Sequence, residues 1–418
     1  MLPLVKTPAQ KLEKYKDLIS EQLFSEITEI SKGLKGLRVF HVNATPRGGG
    51  VAEILKSLVP LMKGVGLKAD WYTIPPRNNF FEITKRMHNA LQGKKYKFPF
   101  SARKQYMLHM ARTAELMRDM KPDIWVIHDP QPAGVAMFLP NFHPVISRLH
   151  IDLTSPNEGV WKFVASFLEL YDKVVLSSKD FVKEQIKEKA VVLQPAIDPL
   201  NPKNQPLSLS NANEILRNFG INPDKPLITQ VSRFDPWKDP LGVIEAYQLA
   251  KKKIPGLQLA LVGLFLARDD PEAERVYAKV KKKAEKDRNI FLFAEVEKLG
   301  SLKVNVFVNA IQAASDVILQ KSTREGFGMT VAEAMWKEKP VIGGNVGGIK
   351  SQIENGVNGF LVSSSKEAAS RIVKLIESPD LGKKMGQRAR ETIREKFLMP
   401  RLLRDYLKLF KHLSRSER

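Results

Sequence analysis

Short apolar runs alternate with helix-length amphipathic stretches, and the alternation passes twice along this 418-residue chain. Its first half offers strand candidates at 37–42, 69–74, 123–127, 145–149 and 173–177, with helical spacing between them. The second half repeats the pattern at 227–232, 257–262, 290–293, 316–319 and 340–343. Such alternation implies parallel sheets with helices on both faces. Between the halves, 194–213 is rich in Pro, Asn and Ser and reads as a linker. The expectation is therefore an α/β chain of two doubly wound, Rossmann-like domains facing a cleft. Its parts are a leading amphipathic helix in 1–33, a first domain over 34–198 and a second over 214–396. A C-terminal helix at 397–418 would cross back to the first domain. Apolar residues at Leu12, Tyr15, Ile19, Leu23, Ile27 and Ile30 predict one continuous leading helix.

Bulk composition narrows the function. Single cores stop growing near ~250–300 residues, so two domains suit this length. No cysteine is present, which removes disulfides, thiolate nucleophiles and Cys-ligated zinc. That fits a reducing interior, and Lys- and Glu-rich composition suits a hot one. The N-terminal stretch lacks the apolar core of a secretory signal, and the longest apolar run, Leu257–Ala267, is too short to span a bilayer. A cytoplasmic protein is expected. An excess of 67 Lys and Arg over 45 acids gives a formal charge of +22 and points to an anionic partner.

In parallel sheets, ligands bind beyond the carboxyl ends of the strands, and the informative residues follow strands here. Asn43 opens "NATPRGGG", in which Gly48, Gly49 and Gly50 allow close backbone approach at a helix start. Arg233 and Lys238 lie five apart in "SRFDPWKDP"; a guanidinium and an ammonium together can neutralise a diphosphate. In "REGFGMTVAEAM", Glu325 sits on a loop and Glu333 about a turn inside the following helix, framed by Gly326, Phe327, Gly328, Met329 and Thr330. Ionised carboxylates accept hydrogen bonds, so the two acids suit hydroxyl-rich rings with a phosphate between. His128 and Asp129, then His150 and Asp152, end two first-half strands. The turn at Gly347–Gly348 offers further backbone N–H groups to a phosphate. Asp269–Asp270 reads as a helix cap rather than a metal pair, and no histidine spacing of a metal site is present.

Glu-x7-Glu combined with Arg-x4-Lys resembles the retaining glycosyltransferases of the GT-B fold, glycosyltransferase family 4. The stretches around His41–Leu55, His128–Pro132, Ser147–Asn157 and Ser232–Pro240 are similar to its trehalose-forming branch. The resemblance implies that Arg233 and Lys238 hold the diphosphate of a UDP-, ADP- or GDP-glucose. Glu325 would take the glucosyl hydroxyls and Glu333 the ribose, along the frame from Gly326 to Thr330. Gly48–Gly50 would close over the phosphates, His150 would lie near the transferred sugar, and Asn43, His128, Asp129 and Asp152 would line the acceptor side. It implies transfer to glucose to give trehalose, reversibly, with no obligatory cofactor, Mg2+ being at most stimulatory, and no metal site. Nucleic acid and a stable membrane surface are not expected partners, and a homodimer is left open. Against it stand a GT-B enzyme with another sugar, glycan or lipid acceptor, a glycosidase using the paired acids, and a non-catalytic nucleotide or nucleic-acid binder.

Overall fold

The computed structural model describes residues 1–75, 78–139, 142–263 and 271–415. Asp269–Asp270 and the end of the Leu257–Ala267 run lie outside the described residues. The chain forms two compact units, Met1–Ala196 with Leu398–Arg418, and Ile197–Phe397.

The first unit is built on β1 (Leu4–Val5), β2 (Arg38–Asn43), β3 (Lys68–Thr73), β4 (Ile124–His128), β5 (Val145–Arg148), β6 (Lys173–Leu176) and β7 (Ala190–Val192), in the order β1-β3-β2-β4-β5-β6-β7. All neighbours are parallel except β1, which runs antiparallel to β3 with Leu4 opposite Tyr72. The second unit carries β8 (Leu227–Val231), β9 (Gln258–Val262), β10 (Ile290–Phe293), β11 (Val317–Gln320), β12 (Val341–Gly344) and β13 (Phe360–Val362), all parallel, in the order β10-β9-β8-β11-β12-β13. Every residue of β4, β8 and β9 is buried, as sheets covered by helices on both faces require. Strand order reverses between β2 and β4 in one sheet and between β8 and β11 in the other. These are the places where open α/β sheets leave a crevice for ligands.

All ten strands read from the sequence are present within a residue or two. The three that it does not signal, β1, β7 and β13, have two or three residues each, too few for a period to register.

The leading helix is not continuous. A 3-10 turn runs over Leu12–Leu18, the backbone is extended at Ile19 and Ser20, and an α-helix runs over Glu21–Lys32. Ser20 causes the break: its side chain accepts the Leu23 N–H at 3.2 Å and starts a new helix. The apolar stripe survives, because Leu12, Tyr15, Ile19, Leu23 and Ile27 are all buried. Glu21–Lys32 packs on the C-terminal helix Met399–Arg415, where Glu26 meets Lys408 at 2.6 Å and Arg404 at 3.5 Å. That helix buries Leu403, Leu407 and Phe410 completely, on one face at helical spacing. Each such burial is worth roughly 1.5–3 kcal/mol, so the helix is an integral part of the first unit.

The Pro- and Asn-rich stretch is more ordered than a linker. The chain leaves the first unit after Ala196, and the following turns dock on the second. Asn309 donates its side-chain amide to the carbonyls of Pro202 and Gln205, and the Trp336 indole donates to that of Asn204. A helix at Leu209–Asn218, capped by Ser208, already occupies its end.

Candidate active site

At the reversal between β8 and β11, two loops leave adjacent strand ends. Loop 232–239 follows β8 and loop 321–328 follows β11. The Thr323 N–H donates to the Trp237 carbonyl at 2.8 Å, and the Gln230 side chain holds the Lys238 carbonyl at 2.7 Å. These bonds bring Lys238 Nζ onto Glu325 Oε2 in a direct ion pair, with Ser322 Oγ donating to the same oxygen at 3.2 Å. Side-chain exposures of 19% for Lys238 and 11% for Glu325 leave the pair mostly dry but reachable from one side. Arg233, on the β8 loop, keeps 56% of its side chain exposed, with its Nη2 3.4 Å from Asp235. Asp235 in turn accepts the Trp237 N–H at 2.9 Å and fixes the turn.

A second ion pair lies beside the first, and the sequence reading did not single it out. Lys321, the first residue past β11, bonds Asp239. Asp239 has φ 47°, left-handed for a residue with a Cβ, and caps the helix Pro240–Lys251 by accepting the Gly242 N–H at 3.1 Å. The available signal was the Asp-Pro pair at the end of "PWKDP", an N-cap followed by N1 proline.

The glycine frame around Glu325 serves close packing of backbone. Gly328 has φ 90° and leads into the helix Met329–Trp336. The Gly348 N–H donates to the Glu325 carbonyl at 2.9 Å, and a Cβ on Gly348 would fall 2.3 Å from the Phe327 Cα. That N–H is therefore engaged within the protein, contrary to the expectation that the Gly347–Gly348 turn offers it to a phosphate. Gln352 donates to the carbonyl of Phe327 at 2.6 Å. Phe327 itself is buried against Phe397, so this position meets a ligand through its backbone alone. Gly326 is buried beneath Gly348, Met329 opens the helix half-buried, and Thr330 donates its hydroxyl to Gln320 at 3.2 Å.

Glu333 is almost wholly buried and pairs with Lys203 at 3.2 Å. Its carbonyl accepts from Lys337 Nζ, which also meets Gln312 at 3.0 Å and Asn204 at 3.3 Å. Burial pushes the Lys337 ammonium down to about 8; Glu333 opposes the shift and Lys203 adds to it. Lys203 comes from the docked stretch after Ala196, a partner that local sequence could not reveal.

The first unit gathers the other candidates at the reversal between β2 and β4. His128 ends β4 and His150 follows β5; His128 Nδ1 and His150 Nε2 are 3.1 Å apart. Asp129 has φ 65° and accepts the His150 backbone N–H at 2.7 Å. Burial raises its carboxyl to about 6, against that hydrogen bond and the nearby charge of Arg148. His41, inside β2 and not singled out from the sequence, bonds His128 Nε2 through Nδ1 at 2.9 Å. Burial lowers all three imidazoles, His41 to about 3, and Arg148 lowers His128 and His150 further. Arg148 is fully buried, a further residue the sequence did not flag. Asn43 turns its amide to the scaffold: Oδ1 accepts from the Trp71 indole at 2.7 Å, and Nδ2 donates to the Thr45 carbonyl at 2.8 Å. Asp152 accepts the Thr154 N–H at 2.9 Å and shapes its own loop. Gly48 and Gly49 have φ 74° and 89° with open space around them, and Gly50 starts a helix whose first turn has no side-chain cap. That exposed loop leads into a helix N-terminus, whose first-turn N–H groups have no intrahelical acceptor and are of the kind anions use.

Comparison with known proteins agrees with this division. Residues 41–183 match the family described as the trehalose synthase N-terminal domain, and residues 211–392 match glycosyl transferases group 1. The chain is 44% identical over 406 residues to a trehalose synthase from Pyrococcus horikoshii, covering 97% of both chains. It is 42% identical over 419 residues to a trehalose synthase from Rubrobacter xylanophilus, covering 99% of both. Among solved structures it is similar to a sucrose-phosphate synthase from Thermosynechococcus elongatus, with a TM-score of 0.71 at 17% identity, covering 91% of this chain and 100% of that one. The two doubly wound units are those of the GT-B fold.

Proposed function

The chain belongs to the trehalose synthase family of group 1 glycosyltransferases, and from that premise we propose that it transfers glucose, with retention, from a nucleoside-diphosphate glucose to the anomeric hydroxyl of glucose. The product is the α,α-linked disaccharide trehalose. The observation that carries the reading is the ion pair between Lys238 and Glu325, which joins the β8 and β11 loops at the strand-order reversal.

The chemistry follows from what each group has left to give. An ammonium has three N–H donors, and the bond to Glu325 takes one; Lys238 can meet a phosphate oxygen with another. Arg233, exposed beside it, supplies a planar fork for the second phosphate. A carboxylate has about four acceptor sites, so Glu325 can take sugar hydroxyls while staying paired with Lys238. Glu333, tied to Lys203, would accept the ribose hydroxyls only by sharing its carboxylate.

In the reaction, the bond from the donor's anomeric carbon to the β-phosphate oxygen breaks, and its electron pair leaves with the diphosphate. Positive charge grows on the sugar. The acceptor's anomeric oxygen bonds the same face of that carbon, and its proton passes to the departing phosphate. Arg233 and Lys238 stabilise the growing negative charge; a single well-placed donor is worth ~2.7–4 kcal/mol in such a site. A diphosphate leaves without a strong general acid, and with Arg233 and Lys238 on its charge no metal is obligatory. One glycosidic bond is exchanged for another, so the same site runs in reverse from trehalose and a nucleoside diphosphate.

The test is incubation of the purified protein with UDP-, ADP- or GDP-glucose, with and without glucose. Nucleoside diphosphate release that requires glucose, together with a non-reducing disaccharide, is expected. Donor hydrolysis without a disaccharide would overturn the acceptor assignment, and no turnover of any donor would overturn the reading.

A further inference from the structure

His41, His128 and His150 form a single row. His41 Nδ1 lies 2.9 Å from His128 Nε2, and His128 Nδ1 lies 3.1 Å from His150 Nε2. Neighbouring rings are 5.2 and 5.4 Å apart at their centroids and inclined by 29° and 16°. The nitrogens face one another along the row rather than converging on one point, which is the geometry of a hydrogen-bonded chain and not of a metal centre.

A neutral imidazole has one N–H and one lone pair. Three neutral rings in such a row keep both hydrogen bonds in only two ways: every ring protonated on Nδ1, or every ring on Nε2. Any mixture sets two lone pairs or two N–H groups against each other. The far end of the row decides between the two. His41 Nε2 is buried and meets no partner. With the Nε2 pattern it would be an orphaned buried N–H, which folded proteins rarely tolerate; with the Nδ1 pattern it is an unused lone pair, the lesser penalty. The row is therefore Nδ1-protonated throughout, and His150 ends it with an N–H at Nδ1.

We propose that His41 and His128 are positioning residues that lock His150 in the Nδ1–H tautomer, so that it donates a hydrogen bond to an oxygen of the transferred sugar. The locking follows from the first unit alone; its use rests on the function proposed above and on the sugar-side role that the family resemblance implies for His150. Both residues are buried and act through His150. His41 acts across two hydrogen bonds, and its effect is to keep one proton on one nitrogen of His150.

The experiment is long-range proton–nitrogen correlation NMR on protein labelled with 15N-histidine, with His150 assigned by the loss of its signals in His150→Ala. In the wild type, Nδ1 of all three rings should be of the protonated type and Nε2 of the bare type. In His41→Leu, His128 loses its donor, the His150 signals should move toward a mixture of tautomers, and kcat should fall on the order of tenfold with donor KM little changed. That is less than the ~10²–10³ that outright removal of a transition-state donor costs. In His41→Asn, the amide N–H stands where Nδ1–H stood, and tautomer and rate should both return. A bare Nδ1 on His150 in the wild type overturns the proposal without any variant. So does an unchanged His150 spectrum in folded His41→Leu, or a shifted tautomer with unchanged kcat. If the wild-type tautomers are as stated but no disaccharide is made, the proposed function fails and the locked row stands.

Discussion

Replacing Lys238 by Met separates what the Lys238–Glu325 pair does for the fold from what it does for the ligand. Two unit charges 4 Å apart attract by about 4 kcal/mol at an effective dielectric of ~20. Desolvation offsets most of this, so the intact pair adds little net stability, whereas removing one partner of a buried pair costs ~3–5 kcal/mol. Side-chain exposures of 11% and 19% let solvent screen part of the stranded charge, which puts Lys238→Met nearer ~2–3 kcal/mol of destabilisation. For a nucleoside diphosphate the effect is compounded. One charge-assisted hydrogen bond is lost, worth ~1.5–3 kcal/mol, and the Glu325 carboxylate, without the Lys238 ammonium beside it, now repels the phosphates. Affinity for UDP, ADP or GDP should drop by at least tenfold to a hundredfold. Glu325→Gln should do the opposite to binding: Lys238 is released to the phosphates, affinity holds or rises, and turnover falls by ~10²–10³. The double variant should regain stability and part of the binding but no turnover. Urea unfolding and calorimetric titration with the free diphosphates, on all four proteins, read the coupling directly. A coupling energy below ~0.5 kcal/mol in both cycles would mean the two side chains act independently, and the argument from their pairing would fall.

Arg233→Ala should leave thermal stability unchanged, since its side chain is 56% exposed, while weakening diphosphate binding roughly tenfold or more in the same titration. Gly348→Ala should destabilise by ~1–3 kcal/mol or more and lower turnover, because the new methyl meets the backbone of Phe327 at 2.3 Å, where no side chain can swing aside; wild-type unfolding and activity would refute the close approach. Burial pushes the Lys337 ammonium down to about 8 from its ordinary value near 10.5, so between those values the unfolded chain holds more protons and stability rises with pH. Lys337→Met should flatten that rise by about 2 kcal/mol between pH 8 and pH 10, measured by urea unfolding at the two pH values; equal slopes in both proteins would refute the depressed pKa.

Strands and the residues that end them were legible because their signals are local. An apolar run bounded by a glycine turn marks a buried strand whatever lies elsewhere, and Arg233, Lys238, Glu325, His128 and His150 could be placed at strand ends by counting. Local signals also misled, most plainly at the leading helix. The apolar spacing from Leu12 to Ile30 describes which face is buried, and it continues unbroken through a Ser20 cap that divides the helix.

By itself, then, the sequence determined two α/β halves, the order of their elements and the residue types at each carboxyl end. Partnership was decided by tertiary structure alone. Lys238 and Glu325 are 87 residues apart and meet because β8 lies beside β11. Glu333 is buried with Lys203 because a proline-rich stretch docks rather than dangles. His41 joins His128 and His150 because β2, β4 and β5 are neighbours. Each ionised or protonated state depends on burial and on a partner from a distant segment, and hydrophobic periodicity holds no information about which distant segments a sheet will set side by side.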